Sequence, residues 1–136
     1  MVKRLTIFVI AVLLTAIGAG VVYAAEDWRF FHSSSTDNTM LYYDFESMVS
    51  PAKNVINVWI KQEVRGKIYS FALWEVSCGE RKIRTLIKHG YDGVNGGIIE
   101  LPNSDETYPT KFAYIVPETL EAKLAKIVCP RRGGLN

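Results

Sequence analysis

The chain contains two cysteines, Cys78 and Cys129, and each ends a different kind of segment. Cys78 closes the strand-like run Leu73-Trp74-Glu75-Val76-Ser77-Cys78, whereas Cys129 follows a stretch in which Leu120, Leu124, Ile127 and Val128 recur at helical spacing. A bond between them would tie a terminal helix to a sheet. It would close a loop of about 50 residues, worth about 4 kcal/mol in the chain-entropy picture. Such a bond persists only in an oxidising compartment, so the address of the chain decides whether it forms.

The N-terminus carries that address. Lys3 and Arg4 precede an almost unbroken apolar run over residues 5–17, and Val22-Tyr23-Ala24 offers small residues at the positions a signal peptidase reads. Residues 1–24 are therefore expected to be a cleaved signal peptide. An uncleaved anchor is the rival reading, although Gly18 and Gly20 interrupt a run that would have to reach roughly 20 apolar residues to span a bilayer. Two cysteines in an exported chain are an even count, and one Cys78–Cys129 disulfide is the expectation. Cleavage would remove Lys3 and Arg4 from 16 basic residues, leaving 14 to set against 14 acidic ones. The positive excess is thus a targeting feature, and neither nucleic acid nor anionic lipid is the expected partner.

Alternation along the remaining chain reads as sheet. Short strands are expected around residues 28–32 and 40–45, the second ending near Ser50-Pro51, where proline withdraws a ladder donor. In residues 55–64, Ile56, Val58 and Ile60 fall on one side and Asn57, Trp59, Lys61 and Glu63 on the other. Arg65-Gly66-Lys67 reads as a turn. Beyond it Ala72, Trp74, Val76 and Cys78 share one face, with Phe71, Leu73, Glu75 and Ser77 on the opposite one. A fifth strand is expected over residues 82–91, a flexible hairpin loop over 90–97, a short strand over 98–101 and a last strand over 111–116. Thr119 is placed to cap the helix, and Pro130 disfavours helical geometry at Cys129, freeing that cysteine to turn back toward the sheet. Residues 25–129 should then form a single α+β domain: an antiparallel sheet of about six strands with one C-terminal helix packed on one face. Residues 130–136 read as a flexible tail.

Reaction chemistry finds no foothold. His32 and His89 lie in different strands with no ligand spacing around them, so no metal site is expected. Ser33-Ser34-Ser35 lacks a nucleophile elbow. The glycine-rich residues 90–97 lack the lysine and hydroxyl of a phosphate loop. No cofactor and no catalytic set is expected, and the protein reads as non-enzymatic. The wet face is more informative: Trp59, Lys61 and Phe71 would stand together there as a candidate binding face for a protein partner or for self-association, unless other parts of the chain cover them.

The residues quoted so far resemble the family named for the surface adhesin protein E, small exported bacterial proteins. The resemblance runs from Trp28 to Cys129. It is carried by Tyr42-Tyr43-Asp44 with Ser47-Met48, Val58-Trp59-Ile60-Lys61, Leu73 to Cys78 with Arg81 and Arg84, Tyr114-Ile115-Val116-Pro117 with Thr119, and Leu124 with Val128-Cys129. Phe112 and Thr119 stand where the family usually has tryptophan and serine, substitutions that keep aromatic packing and N-capping. The resemblance implies an antiparallel sheet with a C-terminal helix tied back by a disulfide. It also implies adhesion to host matrix proteins such as vitronectin and laminin, and self-association into homodimers, at a periplasmic, cell-surface or secreted location. Mass spectrometry of the protein recovered from its producing cells should give a chain beginning at Ala25; a mass that still includes Met1 would refute cleavage.

Overall fold

A computed structural model of the chain describes residues 26–99 and 106–130. The signal peptide expected over residues 1–24 and nearly all of the tail expected over 130–136 lie outside the described residues. Among the described residues eight strands are present: β1 (Trp28–Ser34), β2 (Thr39–Asp44), β3 (Val49–Ala52), β4 (Val55–Val64), β5 (Lys67–Ser77), β6 (Lys82–Asp92), β7 (Gly97–Ile99) and β8 (Ala113–Tyr114). One helix among the described residues, α1 (Leu120–Val128), follows them. Every pairing is antiparallel, the main path runs β1-β2-β4-β5-β6-β7, and the sheet curls into half a barrel with the helix packed on one face.

The long strands β4, β5 and β6 form the frame because their turns fit their twist. Arg65 (φ 52°) and Gly66 (φ 76°) make a two-residue hairpin between Val64 and Lys67, the positive-φ pair that matches the right-handed twist of flanking strands. Each outer edge of this frame is shared by two short partners. The edge of β4 pairs with β3 near Val55 and with β2 near Val64. The edge of β6 pairs with β8 at Lys82 and Ile83, and with β7 at Gly90 to Asp92.

Strand β3 departs from the reading of the sequence, in which the chain near Ser50-Pro51 was an ending. Pro51 lies between the two paired positions, Val49 opposite Asn57 and Ala52 opposite Val55, at an irregularity where its missing N–H breaks no ladder bond. Asn54, at φ 60°, turns the hairpin, and the Ser50 hydroxyl at 2.9 Å from both the Ala52 and Val55 carbonyl oxygens braces it. The strand expected over residues 111–116 shrinks to Ala113–Tyr114. Its flanks still follow β6: the Thr110 amide donates to the Thr85 carbonyl and the Ile115 amide to the Arg81 carbonyl, both at 2.9 Å. The glycine-rich loop is a hairpin built on Asp92, whose carboxylate accepts from the Val94 amide and the Asn95 side chain at 2.9 Å.

The face toward the helix is the core. Val58 on β4, Val76 on β5 and Leu124 on α1 are fully enclosed, and Phe31, Leu41, Tyr43, Ile60, Ile83 and Val128 complete the cluster. The core residues read from alternation, Ile56, Val58, Ile60, Trp74 and Val76, all lie in or against it. Thr119 caps the helix as expected: it is extended, and its hydroxyl accepts from the Ala122 amide at 3.3 Å. Ile127 is the exception on the helix. It stays 46% exposed because the strip Leu120, Leu124, Val128 already fills the space over the sheet.

The helix ends at Val128, and Cys129 adopts extended geometry (φ −79°, ψ 131°) while its amide still donates to the Ala125 carbonyl. Its sulfur is bonded to Cys78, the two Cα atoms lying 5.7 Å apart across a sequence separation of 51. Cys78 sits one residue past β5, held by its amide on the Asn54 carbonyl at 2.7 Å. Replacing both cysteines by alanine should cost about 4 kcal/mol in urea unfolding, and Leu124→Ala about 3 kcal/mol from the cavity it leaves. Equal midpoints for the double-cysteine variant and the parent would show that the crosslink carries no stability.

Candidate interaction face

Because the pleat sends alternate residues to opposite sides, the register fixes which side chains stand together on the face away from the helix. One cross-strand row runs Phe30, Tyr42, Lys61, Phe71 and His89 across β1, β2, β4, β5 and β6. The next row brings Trp59, Leu73 and Ile87 together. Trp59, Lys61 and Phe71, the three positions singled out from the sequence, are therefore neighbours on one face. Lys61 and Phe71 are direct cross-strand partners, and Trp59 lies one row away on the same strand as Lys61.

The face is organised as cations laid over rings. The Lys61 ammonium is 5.0 Å from the Trp28 ring centroid and 4.7 Å from that of Tyr42, and it reaches the Glu63 carboxylate at 3.3 Å. Trp28 also packs on Phe71 at 5.8 Å, and Phe71 meets Tyr91 edge-on at 5.9 Å. Lys61 is thereby covered, with only 14% of its side chain exposed. The sequence placed Lys61 on a wet face; the rings of β1 and β2 close over it, so it acts as the centre of a cluster. Toward the other end of the face, Arg84 lies 4.3 Å from the Phe112 ring centroid and pairs with Glu75 at 2.8 Å, while Lys82 lies 5.0 Å from that of Tyr114.

Outside the cluster the face presents apolar groups to solvent. Phe30 is 52% and Tyr114 73% exposed, and Met40 and Ile87 on the same face are also exposed. Trp59 and Phe71 are half-buried behind them. Phe30, Ile87 and Tyr114 also belong to this face. A short aromatic run and a two-residue strand carry too little alternation to assign Phe30 and Tyr114 a side, and alternation over residues 82–91 puts Ile87 with Ile83 and Thr85, whereas the register irregularity at Leu73/Trp74 turns Ile87 to the opposite face.

Among the described residues no group of three or more histidine, cysteine or acidic side chains could hold a metal ion, and no helix is long and apolar enough to cross a membrane. What the fold and this face define is a small disulfide-braced α+β domain with one covered and one open sheet face. Compared with family models, with curated proteins and with solved structures, the chain finds no match in any of the three.

Lys61→Met keeps most of the packing and removes the charge. It should lower the free energy of unfolding by about 1–2 kcal/mol, the range for a largely desolvated cation on aromatic rings. An unfolding curve superimposable on the parent would mean that the rings gain nothing from the ammonium.

Proposed function

We propose that the protein is an exported, non-enzymatic binding domain that contacts a protein partner through the sheet face left open by the helix, in the manner that its resemblance to the surface adhesin protein E family implies. The observation that carries this reading is the exposure of Phe30, Met40, Ile87 and Tyr114 on one continuous face around a ring cluster. Exposed apolar and aromatic groups that share one face and are interspersed with charge mark contact surfaces more often than they mark surfaces that face only water. Export is supported by the disulfide, which an oxidising compartment maintains.

Assembly of two copies is a second reading, favoured by β1. Among the described residues β1 pairs with β2 alone, which leaves its outer edge open to another strand, although the irregularity between Phe30 and His32 interrupts that edge.

The test uses immobilised vitronectin and laminin as probes. The protein should bind at least one of them saturably, and the double variant Phe30→Ser/Ile87→Ser should weaken binding at least tenfold with an unchanged melting curve. Parental affinity in that variant would remove the face from the contact. Light scattering on the same samples addresses assembly: a dimer lost in the double variant would assign the face to self-association.

A further inference from the structure

Beside the disulfide, on the helix side of the sheet and away from the open face, lies a groove of about 800 Å³. Its volume falls within the range in which proteins hold small molecules. The helix builds one wall. Leu124 and Val128 are turned into the core with Leu120 and Ala125 packed at its edge, and Ala122, Ala125 and Lys126 line the groove. Ile115 and Pro117 form the opposite wall, and the Cys78–Cys129 bond lies between the two. The lining is thus mostly hydrocarbon and sulfur.

Charge enters at three places: Arg81, Lys126 and Glu118. Four cations elsewhere are engaged. Arg29, Lys61, Lys82 and Arg84 each hold a carboxylate and an aromatic ring. Among the described residues the side chains of Arg81, Lys126 and Glu118 have no hydrogen bond, ion pair or ring contact. Two unengaged cations against one unengaged acid leave the groove with a positive excess beside an apolar floor. Arg81 is also fixed in place: it turns the corner between β5 and β6 at φ 56°, and its carbonyl accepts from the Ile115 amide of the facing wall.

We propose that this groove binds a small apolar molecule carrying one anionic head group. The hydrocarbon part lies along Ile115, Ala122 and Ala125 over the disulfide, and the head group is held by Arg81 and Lys126. Burying apolar ligand surface provides the affinity, at about 25 cal/mol per Å² before the costs of association, and the two cations set the preference for an anion.

Laurate and dodecanol, which share a chain and differ in charge, are the probes, titrated calorimetrically into the intact protein. Laurate should bind saturably with one site and at least tenfold more tightly than dodecanol. The double variant Arg81→Asn/Lys126→Gln should erase that preference while leaving the melting temperature unchanged; asparagine tolerates the left-handed backbone of position 81. Ala125→Trp should fill the groove and abolish binding of both probes. The proposal is overturned if laurate shows no saturable binding, if it binds no better than dodecanol, or if the double variant keeps the preference. It is equally overturned if Ala125→Trp dissociates a dimer that laurate does not compete with, since a second copy would then occupy the groove. Should Ala125→Trp fail to fold, the exposed double variant still decides the matter. None of these titrations involves Phe30 or Ile87, so the groove and the open face fail independently.

Discussion

The helix depends on the covalent bond at its end. Nine residues make two and a half turns, far below the length at which a helix persists in water by its own hydrogen bonds. It also touches β1, where the Lys123 ammonium donates to His32 Nδ1 at 3.2 Å across an exposed contact. Burial of Leu124 and Val128 holds it in place in the folded state. The disulfide acts on the other side of the equilibrium, by denying the unfolded chain the freedom to carry this segment away from β5. A helix lost from this position would open the cover over Val58, Ile60 and Val76, because among the described residues no other helix packs on that face.

With one face committed in this way, the other must remain in water despite its aromatic content. Cations are what make that tolerable. Lys61, Lys82 and Arg84 lie over the rings of Trp28, Tyr42, Tyr114 and Phe112, so that long methylene stems cover apolar surface and the charged ends stay hydrated or paired with Glu63, Glu80 and Glu75. This thin covering is a substitute for a second helix. It does not reach Phe30 and Ile87, over which no cation lies among the described residues, and both stay exposed.

The frame was legible in the chain because its signals are local. Period-two alternation in β4 and β5 assigned Val58, Ile60, Ala72 and Val76 to one side, glycine at position 66 marked the hairpin, and Pro130 marked the residue at which the helix releases Cys129. The even cysteine count then gave the bond itself. What stayed hidden was relational. Strand β3 exists because an irregular edge accepts Pro51, a fact about its partner and not about its own four residues. The cover over Lys61 comes from β1 and β2, set by register across three strands, whereas alternation within β4 says only which side Lys61 takes. Ile127 fits the helical period as well as its neighbours do, but the sheet has room for one strip.

The segment between Thr110 and Pro117 shows how the two surfaces relate. It follows the edge of β6 with its amides held at Thr110 and Ile115, so successive side chains take opposite sides. Phe112 and Tyr114 go to the open face over Arg84 and Lys82, and Ile115 goes to the core side and into the wall of the groove. Arg81 anchors this segment from the groove side through its carbonyl, while Arg84 and Lys82 anchor it from the open side through their cations. A two-residue strand contributes little pairing energy of its own. Its position is therefore set jointly by contacts on both faces, and any group that moved Ile115 would act on Tyr114, the residue before it, on the opposite side of the segment.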